Sequence, residues 1–149
     1  MFALVPATEA HALDLASHIS DVSGTDCLML GNDPCRQSVD NLRTSVYAFA
    51  GLSNDRCFCL FGVIPDFLAA DHGQPWLLTA DEMPPARAAM ARVSRQYIPY
   101  VSQRFTYLYG WVNAENQTSV KWLRWLGYTV YPGAPYRRFD WRAECRSHS

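Results

Sequence analysis

The stretch WVNAENQTSVKWLRWLGY, Trp111 to Tyr128, carries the pattern that decides the fold. Trp111 and Val112 end an aromatic-rich run from Phe105, and aromatic and β-branched residues of this kind predict a strand. Asn113 or Asn116 then supplies a side-chain acceptor for the open amides of a helix start, and Gly127 supplies the left-handed residue on which helices end. On a helical wheel Val120, Trp122, Leu123 and Leu126 cover one side and Trp125 lies beyond its edge, an apolar arc of roughly 220°. Packing on one sheet needs a stripe of only about 100° or somewhat more. Trp122 and Trp125 are therefore the candidate partner-facing residues, Trp125 foremost. Trp76, Trp111 and Trp141 fall on predicted strands and are assigned to the core.

Working outward, Phe2 to Val5 reads as a strand, and Thr8 as the N-cap of a helix from Glu9 to Ile19 with Ala12, Leu15, Ala16 and Ile19 on one face. The segment from Asp26 to Leu42 predicts a short helical piece, a turn at Gly31 to Pro34 and a second helix from about Arg36. Ser45 to Ala50 and Cys57 to Ile64 predict two antiparallel strands joined through Gly51 to Asp55. After a loop from Pro65 to Gly73, Gln74 to Thr79 predicts a further strand. Pro84 to Val101 then predicts a long helix with Pro99 at a kink or last turn. Two closing strands, Tyr128 to Tyr131 and Tyr136 to Trp141, precede a loose polar tail from about residue 142. This order predicts an α/β fold in one domain spanning 1–149, with a mixed, mostly antiparallel central sheet of six to seven strands flanked by three to four helices.

The composition narrows the function classes. With 149 residues, 49% of them apolar and 13% aromatic, the chain can bury a core of its own. A net charge of -1 argues against binding nucleic acid through counterion release, so no sequence-specific nucleic-acid partner is expected. Glu9, His11 and Asp14 interrupt the opening segment, which reads as neither signal peptide nor membrane span. The five cysteines lack zinc-ligand spacing, so reduced thiols and no metal are expected. Cys57 and Cys59, at i and i+2 on a strand, share a face.

With these elements in place, the chain resembles the GCN5-related N-acetyltransferase (GNAT) fold, through its element order and the segment N-x6-L-x2-LGY at Asn116, Leu123, Leu126, Gly127 and Tyr128. More closely, Gly73 to Trp141 resembles the GNAT-like internal virion protein A family of short-tailed phages. The carrying residues are G-x-PWLLT at Gly73 and Pro75 to Thr79, YLYGWVNAEN, WLRWLGY and the aromatic end around Phe139.

The same comparison exposes departures from an enzyme. The GNAT resemblance implies a glycine-containing phosphate loop of pattern Q/R-x-x-G-x-G/A after the fourth strand, where successive backbone N–H groups hold pyrophosphate. Ala80 to Ala86 here reads ADEMPPA, with no glycine and two prolines that cannot donate. Asp81 and Glu82 add negative charge, each opposing an anion at ~4 Å by about 1 to 4 kcal/mol. The family's general-acid tyrosine, seven residues after the Asn, corresponds to Leu123. His11, His18 and His72 read as surface or capping residues, and no catalytic residue is assigned.

The resemblance implies a phage virion-associated protein of the internal core or of assembly, with a degenerate acetyl-CoA site and no expected cofactor. Its partners would be other virion proteins or another copy of itself, without membrane insertion. It would reside in the host cytoplasm during production and then in the virion interior. The alternative is a functional acetyl-CoA-dependent N-acetyltransferase with an atypical phosphate loop. In that case the backbone of Leu78, Thr79 and Ala80 would hold the pantetheine arm and Asn116 would contact CoA.

Overall fold

The computed structural model describes residues 2–20, 33–81 and 99–143. Seven strands form one sheet in the order β1-β2-β3-β4-β5-β7-β6. They are β1 (Phe2–Pro6), β2 (Tyr47–Ser53), β3 (Arg56–Pro65), β4 (His72–Thr79), β5 (Tyr107–Asn113), β6 (Thr129–Val130) and β7 (Tyr136–Arg142). Three helices, α1 (Glu9–Ala16), α2 (Pro34–Thr44) and α3 (Gln117–Trp125), lie among the described residues, and residues 99–101 are also helical. Pairing is antiparallel for β1 with β2, β2 with β3, β5 with β7 and β6 with β7, and parallel for β4 with β5 at His72↔Tyr107 and Gly73↔Leu108. This is the mixed, mostly antiparallel sheet expected from the sequence.

The chain divides into two compact units, Met1–Ile64 with Pro75–Val93, and Pro65–Gln74 with Ser94–Ser149. In the first, Thr8 caps α1 as expected. Its hydroxyl accepts from His11 N at 3.3 Å, and its own N–H donates to His11 Nδ1 at 3.0 Å. The imidazole thus does the work usually given to Glu or Gln in a capping box. Ala12 and Leu15 are fully buried, whereas α1 ends at Ala16 and Ile19 leaves it to pair with Ala80. The second helix starts at Pro34, two residues before the expected position, because Asp33 accepts from Arg36 N at 2.9 Å and Pro34 suits the first turn. The short helical piece expected before it and most of the long helix from Pro84 lie outside the described residues.

The β2–β3 connection is tighter than the five residues read from sequence. Only Asn54 and Asp55 turn the chain, both with positive φ (50° and 65°), as the primed turns of two-residue hairpins require. Gly51 lies inside β2 beside a register shift instead of in the turn. β3 is buried from Cys57 through Val63 and forms the centre of this unit's core. Cys57 and Cys59 are free thiols. Burial, reinforced by Asp14, pushes Cys57 up to about 11, and burial pushes Cys59 up to about 12, so neither is a thiolate nucleophile at neutral pH.

In the second unit β5 sets one side of the core. Leu108 and Gly110 face inward, where a Cβ on Gly110 would meet the Phe139 ring at 2.8 Å, and Tyr128 packs edge-on against the same ring at 5.2 Å. Val101, Phe105, Val120, Leu123, Leu126 and Val130 complete this core. Gly127, at φ +99°, ends α3 as expected. Trp111 corrects the sequence reading: it is 59% exposed, because it falls on the opposite side of β5 from Leu108 and Gly110. Trp76 and Trp141 are half-buried, and the Trp76 indole N–H donates to Ser45 Oγ at 2.7 Å.

Gly62 is the position least able to accept a side chain, since a Cβ there would sit 2.3 Å from the Tyr47 carbonyl oxygen. Backbone cannot yield as a flexible side chain does, so Gly62→Ala is expected to cost about 1–3 kcal/mol and to lower the thermal midpoint by on the order of 5 °C. Differential scanning calorimetry of the two proteins checks this.

Candidate functional site

The resemblance directs attention to the end of β4, whose backbone at Leu78, Thr79 and Ala80 would hold a pantetheine arm. Leu78 is buried in the core. Ala80 N donates to Phe58 O at 2.8 Å, toward β3. Neighbouring residues in a strand direct their hydrogen-bonding groups to opposite sides. Thr79 O and Asp81 N therefore face away from β3, on the edge where an extended ligand would pair. That edge is taken: Ser20 N donates to Thr79 O at 2.8 Å, and Asp81 N donates to His18 O at 2.9 Å. The Thr79 and Ser20 hydroxyls lie 3.0 Å apart in a hydrogen bond that extends the same contact.

The segment that closes the edge is itself anchored. Asp14, in the last turns of α1, accepts from Cys57 N at 2.8 Å and from Arg56 Nε at 3.0 Å, tying the helix to the start of β3. The Cys57 amide and the Arg56 guanidinium hold the Asp14 carboxyl below the usual carboxylate range. The His18 ring lies between two acids, with Nε2 3.8 Å from Asp14 and Nδ1 3.9 Å from Asp81. Among the described residues, His18 Nε2 is buried without a hydrogen-bond partner.

The three candidate histidines thus have structural positions. His11 completes the α1 cap, His18 lies in the clasp at the end of β4, and the His72 ring packs edge-on against Tyr107 at 5.0 Å. Tyr107 and Tyr128 are both buried. No group of three or more metal-ligating side chains occurs among the described residues.

Asn116 is the N-cap of α3, accepting from Ser119 N at 3.1 Å, which gives its side-chain oxygen a helix-capping role. Trp122 is half-buried and Trp125 is 55% exposed. The structure brings Leu78, Thr79 and Ala80 together with His18 to Ser20, a segment sequence reading had placed at the end of a helix. No local signal marks a pairing across some sixty residues, although the apolar Ile19 between His18 and Ser20 fits an edge segment as well as a helix. The end of β4 fits the contacts implied for acetyl-CoA poorly: Thr79 O and Asp81 N are already paired, and the sequence from Ala80 to Ala86 lacks glycine.

Solved structures with this architecture span nearly the whole chain. A GNAT-family acetyltransferase from Streptococcus pneumoniae is 11% identical, covering 96% of this chain and 100% of its own, with a TM-score of 0.63. Aminoglycoside 6'-acetyltransferase type Ii is 15% identical over 97% and 99% of the two chains, with a TM-score of 0.66. The yncA protein of Salmonella typhimurium, solved with its cofactor acetyl-CoA, is 10% identical over 98% and 96%, with a TM-score of 0.67. Neither a family model nor a curated sequence matches the chain. The chain has the GNAT fold.

Asp14→Ala would leave the part-buried Cys57 N–H unpaired and is expected to cost about 1–3 kcal/mol at neutral pH. Because the folded Asp14 pKa is depressed, its contribution is complete above the unfolded value near ~3.9 and is lost as pH falls through the lower folded value. Denaturant melts of both proteins should therefore differ clearly at pH 7 and converge in acid.

Proposed function

We propose that this chain is a GNAT-fold scaffold that works through protein–protein contacts and does not bind acetyl-CoA in the manner of the fold's enzymes. The observation that carries this reading is the closed edge of β4, where Thr79 O and Asp81 N are hydrogen-bonded to Ser20 and His18. A pantetheine arm would have to displace that pairing and leave the Ser20 amide and the His18 carbonyl to find new partners. The acidic, proline-containing sequence that follows opposes pyrophosphate on separate grounds. The further role, in the internal core or assembly of a phage particle, rests on the resemblance of Gly73 to Trp141 alone.

A second reading has its own support. The solved neighbours include acetyltransferases matched over almost their full length, and one was solved with acetyl-CoA. These names favour an acetyl-CoA-dependent N-acetyltransferase and offer nothing for a virion role. Such an enzyme would use a CoA-binding mode different from the one implied for Leu78 to Ala80 and Asn116.

The two readings separate in one measurement. For a binder, acetyl-CoA at about 100 times its dissociation constant adds ~2.7 kcal/mol, which raises the midpoint of a domain this size by roughly 4 °C or more. The scaffold reading expects no shift at millimolar acetyl-CoA and no turnover across a panel of primary amines. A clear shift accompanied by amine acetylation would establish the enzyme instead. Immunoblotting of purified particles tests the phage assignment separately, and absence of the chain from them would remove it.

A further inference from the structure

The second unit carries an unusual pair of features on one side of its sheet. Cross-strand partners place Tyr107, Tyr109 and Trp111 of β5 beside Arg142, Asp140 and Arg138 of β7. Tyr107 and Tyr109 stack at 5.4 Å, and Trp111 continues the row edge-on to Tyr109 at 6.0 Å. The Arg142 guanidinium lies 4.2 Å over the Tyr107 ring, and Arg138 donates to the Tyr107 hydroxyl. Both arginines are exposed, and neither makes an ion pair among the described residues.

The loop between β3 and β4 is fixed to the same ladder. Asp66 accepts from Leu68 N at 3.1 Å and from the Tyr109 hydroxyl at 2.7 Å, and its own N–H donates to His72 O at 2.9 Å. Asp71 accepts the Thr106 hydroxyl at 2.6 Å and, through its carbonyl, the Thr106 N–H at 2.8 Å. These anchors hold Phe67 and Leu68 at the tip, 99% and 91% exposed. A loop tied at both ends that displays two large apolar side chains is already ordered for docking, which removes much of the entropic cost of binding.

Charge decides what the tip fits. Hydrogen bonds from Tyr109 and Thr106 keep the Asp66 and Asp71 carboxyls below their ordinary range, so the tip is flanked by two anions. The complementary surface is aromatic with a cationic rim, and this chain displays one in the Trp111–Arg138 cross-strand pair. Tip and ladder lie on one side of the same unit, joined through Tyr109, so a two-fold pair can satisfy both contacts at once, as an isologous interface requires. Trp and Arg are also the residues that most often dominate binding at the centre of such contacts.

We propose that this face binds a second copy of the chain, the Phe67–Leu68 tip of each copy seated on the Trp111–Arg138 pair of the other. The inference holds whichever reading of the β4 edge is correct. Sedimentation equilibrium of the full chain is expected to show a monomer–dimer equilibrium that weakens as salt is raised. The double variant Phe67→Ser/Leu68→Ser and the variant Trp111→Ala should each weaken association by ~10-fold or more while keeping the parent's circular dichroism and thermal midpoint as a monomer. Mixing the two variants should restore partial association, because the intact tip of one meets the intact ladder of the other. A parent that stays monomeric at its highest soluble concentration would overturn the proposal, as would a dimer indifferent to both variants. Mixed variants that fail to associate although each is folded would also overturn it. Binding of the parent, lost in the tip variant, to vesicles of anionic phospholipid would reassign the tip to a membrane.

Discussion

The hydrogen bonds from Ser20 N to Thr79 O and from Asp81 N to His18 O use the backbone groups that the end of β4 would otherwise leave open. Such groups must find partners, and an unpaired edge invites any extended chain that can supply them. In this protein the partner is the chain's own segment, and its placement depends on the elements around it. α1 stops at Ala16 in time for His18 to Ser20 to turn extended, and Asp14 ties the helix to Arg56 and Cys57 at the start of β3. The cap at Thr8 and the ion pair between Glu9 and Arg43, 3.0 Å apart, add restraints at the other end of the helix. The ion pair is exposed and contributes little, whereas the buried amide of Cys57 makes Asp14 the stronger tether.

The fold is kept here with the end of one strand paired within the chain. Seven strands in GNAT order survive at 10–15% identity to three solved neighbours because the order depends on burial patterns, turns and caps, which many sequences satisfy. Acyl-CoA chemistry depends on a few backbone groups left free at one strand end and on glycines that admit phosphate. In this chain Thr79 O and Asp81 N are paired with Ser20 and His18, and prolines and acids follow Ala80. The same acids and prolines suit the first turn of a helix, so one local sequence favours a helix start and disfavours the anion.

The strands were legible because each carries a local signature. Cys57 to Ile64 is apolar throughout and is buried throughout up to Val63, and Gly127 ends α3 where its freedom at positive φ is needed. At Ile19 and Gly51 a cross-strand neighbour outweighed local preference. Ile19 has helical spacing but pairs with Ala80. Gly51 resembles a turn residue, yet its site inside β2 is crowded, because a Cβ there would meet Cys59 Sγ at 2.6 Å. Of the two asparagines that could start α3, Asn116 is the cap, accepting from Ser119 N. Trp111 is expected in the core because it falls on a predicted strand; strand alternation, counted from Leu108, places it outside.

Alternation also accounts for the outward aromatic ladder. On the inner side of β5 the glycine at 110 makes room for Phe139, so the core is filled from β7. On the outer side Tyr107 and Tyr109 stay ordered because their hydroxyls are held, Tyr107 by Arg138 and Asp140 and Tyr109 by Asp66 and Gln74. Tyr109, half-buried and so anchored, serves both the sheet and solvent, whereas Tyr107 is buried. Phe67 and Leu68 have no polar tip to anchor, and Trp111 keeps more than half its surface in water, so the fold gains little from their size. The same hydrogen bonds that make Tyr109 a stable surface residue fix the Asp66 turn and hold Phe67 and Leu68 outward, so that the ordering of the ladder and the display of the tip are one structural event.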